Sequence, residues 1–382
     1  MLRFYRLNQI KKKHSEKTDT QLKNMSTKSL LFAFLLMFTY AAKAQVRKYS
    51  NEFLNIGVGA RSLGMANANV ASVSDVTSGY WNPAGLLGMQ NNLQVSLMHA
   101  EYFAGIAKYD YAAFAVQLDT TSAMGLSIIR FGVDNIPNTT ELIDGNGNIN
   151  YDRITSFSAA DYGFLFSYAK KTKIEGLHFG ANAKVIHRLV GSFAKAWGFG
   201  IDAGLQYKKG LWKYGFMAKD ITSTFNAWSY NLSDRMKEVF VLTGNQIPDN
   251  SVEITLPQLI LGASRKINIK NKFYFQPELN IDLTFDGKRN VLLKSNMLNI
   301  APKIGAEFGF YDFAFFRAGI GNFQHYSNEK GTQSLVFQPN MGIGVRIKRI
   351  SLDYALTDIG DRSVALYSNV FSLRYDINKQ KR

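Results

Sequence analysis

From Leu93 onward the chain alternates apolar and polar residues with a period of two. The clearest run puts Phe273, Phe275, Pro277, Leu279, Ile281, Leu283 and Phe285 on one face. Tyr274, Gln276, Glu278, Asn280, Asp282 and Thr284 fall on the other. Successive side chains of a strand point to opposite faces, so this segment reads as a strand with one greasy and one wet side. The same alternation recurs at Pro302–Phe310, Met341–Ile347, Ile350–Leu356 and Phe371–Tyr375. It predicts strands over 93–104, 106–119, 122–133, 158–170, 174–190, 195–208 and 211–219. Seven more are expected over 254–265, 271–285, 301–310, 313–322, 336–348, 350–357 and 367–376.

A soluble sandwich and a membrane barrel both generate this pattern. A sandwich buries its apolar faces against each other, whereas a barrel turns them to lipid and its polar faces to a lumen. The even count of about fourteen, and aromatics at strand ends such as Tyr102, Tyr109, Trp197, Trp212 and Tyr311, favour the barrel. Tight links at Lys209-Gly210 and Tyr311-Asp312 are expected as periplasmic turns. The long connections 134–157, 220–253, 286–300 and 323–335 are expected as extracellular loops. The fold class is therefore all-β: a transmembrane antiparallel β-barrel over 93–376, with a short tail at 377–382.

The segment before the barrel changes how the charge is read. Leu30 to Tyr40 is an apolar run preceded by Lys28 and followed by Ala42-Lys43-Ala44. That is the layout of a signal peptide over 25–44, with cleavage expected between Ala44 and Gln45. The run is too short to span a bilayer as a helix. Residues 1–24 read as an upstream extension. The whole chain carries 45 basic and 29 acidic groups, a net of +16. Nine basic and two acidic groups fall in 1–44, so the remainder carries 36 against 27, a net of +9. No basic run interleaved with aromatics remains, and a nucleic-acid partner is not expected. The absence of cysteine removes thiolate metal sites, redox motifs and cysteine nucleophiles.

Residues 45–92 are rich in Gly, Ala, Asn and Ser and do not alternate. A stretch this long without strands is expected to pack as a plug inside the lumen, with a short helix near Ala68–Ser74. Within it stand Ile56-Gly57-Val58-Gly59-Ala60-Arg61-Ser62-Leu63-Gly64-Met65 and Ser74-Asp75-Val76-Thr77-Ser78-Gly79-Tyr80-Trp81-Asn82-Pro83-Ala84-Gly85-Leu86. These resemble the N-terminal signature of the PorV/PorQ family, outer-membrane barrels of the FadL-like superfamily. Ser368–Tyr375 is similar to that family's closing strand. The resemblance implies a hatch that plugs a fourteen-stranded barrel, with Gly57, Gly59, Arg61, Gly64, Asp75, Trp81, Asn82, Pro83, Ala84 and Gly85 as plug-motif residues. Ala66-Asn67 and Ser74-Asp75 depart from the family's Gly-Gly and paired acids. In the motif, Pro83 fixes φ, Asn82 can close a turn, and Gly85 permits a left-handed exit. Arg61 and Asp75 are expected to pair within the plug or with lumen charges such as Glu278, Asp282 and Glu307.

Catalytic chemistry is not legible, and no enzyme is expected. There is no P-loop, HExxH or dinucleotide fingerprint. His178 and His187 should lie on opposite faces of one strand and make a poor metal pair. Asp144–Asn148 lacks the closing Glu of a calcium loop. No cofactor and no metal are expected. Two functions stay open. The PorV/PorQ resemblance implies an accessory of type IX secretion that binds or escorts cargo sorting domains, with Phe225, Trp228 and Tyr230 as candidate extracellular contacts. The wider resemblance implies FadL-like uptake of hydrophobic small molecules through a plugged barrel. Either way, the resemblance places the chain in the outer membrane of a Gram-negative bacterium, in contact with its lipid.

Overall fold

The computed structural model describes residues 50–143, 147–327, 333–359 and 367–377. The expected leader, its cleavage site and the end of the tail lie outside them. The fold is a closed antiparallel barrel of fourteen strands. The first six are β1 (Leu93–Tyr102), β2 (Ala107–Gln117), β3 (Ser122–Asn138), β4 (Thr155–Lys171), β5 (Leu177–Val190) and β6 (Ala194–Lys209). Strand β7 is built of two pieces, Trp212–Lys219 and Thr224–Tyr230. Strand β8 has three, Ser251–Thr255, Gln258–Arg265 and Ile267–Ile269. The circuit continues through β9 (Phe273–Thr284), β10 (Asn299–Phe310), β11 (Ala314–Ser327), β12 (Gln333–Ile347), β13 (Ile350–Thr357) and β14 (Ser368–Ile377). Pairing of Leu93 with Ile377 through Glu101 with Asn369 joins the last strand to the first and closes the circle.

The period of two sorts the wall as expected. Leu279, Ile281 and Leu283 of β9 face outward, while Glu278, Asn280 and Asp282 face the lumen. The outer surface is studded with large apolar side chains, among them Phe114, Phe166, Phe199, Ile304, Phe316, Ile343 and Phe371. That is the face a bilayer solvates. One polar row interrupts it: His99, Asp110 and Arg130 stand in register on β1, β2 and β3. His99 Nδ1 lies 2.7 Å from Asp110, and Arg130 donates to the same carboxylate at 3.5 Å. His178 and His187 do point to opposite faces of β5.

Two expectations need correction. The connection assigned to 220–253 contains strand at both ends, because β7 resumes at Thr224 and β8 begins at Ser251. The interruptions at 220–223 and 256–257, the second containing Pro257, break the alternation that would have revealed them. No helix forms over Ala68–Ser74. The backbone there is spent on other partners: the Val70 carbonyl accepts from Asn82 and Gln206, and the Ala71 N–H donates to Glu278.

Candidate functional site

The plug fills the barrel. Val58, Ala60, Met65, Ala68, Val70, Val73, Val76, Ala84 and Leu86 are all at or near zero exposure. Most pack against the lumen faces of β1 to β5, where Tyr102, Tyr109, Tyr111, Ile129 and Leu165 supply apolar surface. The lumen is therefore two-sided. Its β1–β4 side is aromatic and aliphatic, and its β9–β14 side carries the charges visible in the sequence.

Each plug-motif residue has a place in this packing. Gly57 and Gly59 take φ of 109° and 82°, a region that disfavours a Cβ. Gly64 lies against Gly342 of β12 closely enough that a Cβ would come 3.0 Å from its Cα. Asn82 is fully buried; its amide donates to Val70 and Leu205 carbonyls at 3.1 and 3.0 Å, tying two parts of the plug to β6. Its Oδ1 accepts from the Ala84 N–H at 3.3 Å, which caps the 3-10 turn Pro83–Gly88. Trp81 donates to the Val58 carbonyl at 2.9 Å. Gly85 makes no left-handed exit: it stays inside the 3-10 turn without a positive φ, and glycine is required there because a Cβ would sit 2.5 Å from the Val73 carbonyl.

The wall is cut to receive these groups. Gly180 of β5 faces Pro83 and Ala84, Gly204 of β6 faces Asn82, and Gly215 of β7 faces Val70. A Cβ at these positions would come within 2.2 to 2.4 Å of plug atoms. Sequence reasoning missed these glycines, although each falls on the inward register and could have been flagged there.

Arg61 and Asp75 find separate partners across the lumen. Arg61 donates to both oxygens of Glu307, at 2.8 and 3.2 Å, and to Asn69 at 2.9 Å. Glu307 also accepts from Arg317, at 2.6 Å, and Arg317 continues to Asp353 at 2.6 Å. Asp75 accepts from Arg374 of β14 at 2.7 Å and from Thr77. Burial alone would raise the Asp75 carboxyl, but the Arg374 guanidinium and the Thr77 hydroxyl outweigh it and hold it below its ordinary value. Of the other expected lumen partners, Glu278 accepts from the Ala71 N–H and Asp282 accepts from Lys303.

Above the plug, at the end of the long loops, lies a cavity of about 470 Å³. Ile56, Leu63, Ala66, Tyr102, Phe103 and Phe131 make one side of it. The other side is polar, with Gln258, Asn340, Thr357 and the Asp282–Lys303 pair at 2.6 Å. Arg289 holds the rim to the plug, meeting Glu52 at 2.9 Å and Asp286 at 2.5 Å. Asn55, Gln258, Thr284 and Arg289 line both this vestibule and a small space that reaches Asp220, Leu256 and Pro257. That space abuts the interruption in β7.

The interruption is closed by buried charge. Lys184 of β5 donates to Asp202 at 2.9 Å and to Asp220 at 2.5 Å, and the Asp220 N–H donates to Asp202 at 2.9 Å. Thr224 donates to Asp220 as well. Phe225, Trp228 and Tyr230 lie just beyond, on the second piece of β7 rather than in a loop. Phe225 faces outward, whereas Trp228 and Tyr230 share the inward register. Trp228 donates to Glu253 at 2.8 Å and lies under the Arg188 guanidinium, 5.1 Å from its ring centroid.

Among the described residues, no three His, Asp or Glu side chains are grouped to hold a metal ion, and no helix is long and apolar enough to cross a membrane. The sequence matches no protein-family model and no curated protein. Solved structures do resemble the barrel. The toluene transporter TbuX of Ralstonia pickettii is 16% identical with a TM-score of 0.52, over 84% of this chain and 99% of that one. The toluene transporter TodX of Pseudomonas putida is 13% identical with a TM-score of 0.52, over 83% and 96%. CymD, a monoaromatic hydrocarbon channel, is 13% identical with a TM-score of 0.51, over 85% and 99%. At these identities the likeness is one of fold. The class this defines is one of fold: a plugged, closed antiparallel barrel of fourteen strands. The neighbours named are channels and transporters, not enzymes.

Proposed function

We propose that this protein is an outer-membrane channel for a small hydrophobic molecule. The vestibule carries the reading: a 470 Å³ cavity in which Ile56, Leu63, Ala66, Phe103 and Phe131 supply apolar surface among polar groups, set at the mouth of a plugged lumen. An apolar cavity of about 150 Å³ suffices to bind benzene, so a monoaromatic ring fits with room for water along the polar side. The neighbours' reported cargoes, toluene and monoaromatic hydrocarbons, are of this size and polarity. The ligand would settle against Phe131 and Leu63. It would then move past the Glu52–Arg289 contact toward the interrupted part of β7. Saturable binding of labelled toluene to the purified barrel, reduced by Phe131→Glu, tests the reading. Binding that is non-saturable or indifferent to that change counts against it.

A second reading keeps the protein as a type IX secretion accessory that escorts cargo sorting domains. The plug motif at Ile56–Met65 and Ser74–Leu86 favours it. The inward setting of Trp228 and Tyr230 takes away two of the three aromatic contacts that it invoked. A pull-down from native outer membranes separates the two: co-purifying cargo or translocon subunits speak for escort, and bound apolar ligand alone speaks for uptake.

A further inference from the structure

Beneath the plug, at the end of the short turns, lies a second and chemically different cavity of about 210 Å³. Its walls bear six cationic side chains, Arg61, Lys213, Lys266, Arg317, Arg346 and Arg374, against five carboxylates. Three of the carboxylates are closely held. Glu307 and Asp353 are held by Arg61 and Arg317, and Asp75 by Arg374, with Asp376 3.6 Å from the same guanidinium. Asp312 meets Lys266 only at 3.9 Å.

Three cations are left without close anionic partners. Lys213 has neither a hydrogen bond nor an ion pair among the described residues. The Lys266 ammonium lies over the Tyr274 ring, 3.8 Å from its centroid. Arg346 makes a long hydrogen bond to the Ser351 hydroxyl at 3.4 Å and lies over the Phe315 ring, 5.7 Å from its centroid. That same hydroxyl accepts from Arg374 at 3.0 Å, so two guanidinium groups converge on a single neutral oxygen. The Arg374 Nε makes no hydrogen bond and lies 3.6 Å from Asp376 Oδ1, which is also buried and unbonded. Six cations against five carboxylates leave the chamber one positive charge in excess, with Lys213 and Arg346 lacking an ion pair of their own, and such an excess in a confined polar space attracts an anion.

We propose that this chamber binds a compact multivalent anion, a phosphate or a short dicarboxylate, through Arg346, Lys213 and Lys266. The volume is several times the roughly 30 Å³ share of one water, enough for such an anion with part of its hydration. Planar guanidinium and point-like ammonium groups together suit an oxyanion. The site is independent of what passes through the vestibule.

Titration calorimetry on the full barrel in detergent, with inorganic phosphate and separately with succinate, tests the assignment. One-site saturable binding of at least one anion is expected. Arg346→Gln should weaken it about tenfold, the loss of one charge-assisted hydrogen bond. Lys213→Gln should weaken it too, and serves as the second variant in case the first disturbs folding. Binding of neither anion, or binding that both variants leave unchanged, overturns the proposal.

Discussion

Arg61 and Glu307 lie 246 residues apart and meet through two hydrogen bonds of 2.8 and 3.2 Å inside the barrel. The pair joins the plug to β10, and Arg317 and Tyr274 complete the carboxylate's coordination. With Arg61 removed, Arg317 and Tyr274 still donate to Glu307, so the cost is expected below the roughly 3–5 kcal/mol of a buried charge left wholly unpaired. Arg61→Ala should lower the denaturation midpoint of the detergent-solubilised barrel accordingly. Arg61→Met combined with Glu307→Gln should cost less than the sum of the two single variants, because Arg317 keeps a neutral acceptor at 307. Additive loss in the double variant would contradict the pairing.

Asp75 gives the plug a pH dependence of known sign. Its carboxyl titrates lower in the folded protein than in the unfolded chain. Its contribution is therefore fully present above the ordinary carboxylate range and is lost as pH falls through the lower, folded value. Protease protection of the plug should be flat from pH 7 to about pH 5 and decline in stronger acid. Asp75→Asn should remove the part of that decline that belongs to this residue. An identical acid profile in the variant would assign the loss elsewhere.

The wall glycines set how closely the plug docks. Gly204→Ala would place a methyl 2.2 Å from the Asn82 side-chain oxygen. Overpacking of this kind costs about 1–3 kcal/mol. The expected result is faster hydrogen exchange across 78–88 with the barrel strands unchanged. Ala112→Val, on the outward register of β2, should leave exchange in the plug as it was.

The interruption in β7 rests on Lys184. Lys184→Met would leave the buried Asp202 and its neighbour Asp220 without their ammonium, a loss of about 3–5 kcal/mol borne locally. Amide exchange at 220–224 should accelerate while β9 to β14 keep their protection. Uniform loss of protection around the barrel would show the cluster to be a global rather than a local support.

Much of this architecture was legible beforehand because lipid and lumen impose opposite polarity on adjacent residues. Alternation from Phe273 to Phe285 assigned every inward charge of β9, and the strand count followed. The upper piece of β7 escaped because Asp220–Ser223 carry no alternation, and that is where backbone polar groups turn to buried side chains. The plug motif was visible, but its contacts were not. Asn82 reaches Leu205 across 123 residues, and nothing local in either segment encodes that meeting. The vestibule's apolar side was obscured for another reason. Tyr102 and Phe131 lie where the alternation lapses: Tyr102 follows His99-Ala100-Glu101, and Phe131 follows the apolar pair Ile128-Ile129 and Arg130.

The central claim is that small hydrophobic molecules pass through the vestibule. It is tested most directly by uptake of labelled toluene in outer-membrane-competent cells producing either the native chain or Phe131→Glu at equal surface levels. Uptake should be faster with the native chain than with an empty host, and should fall toward the host level with Phe131→Glu. Equal uptake in all three strains would contradict it.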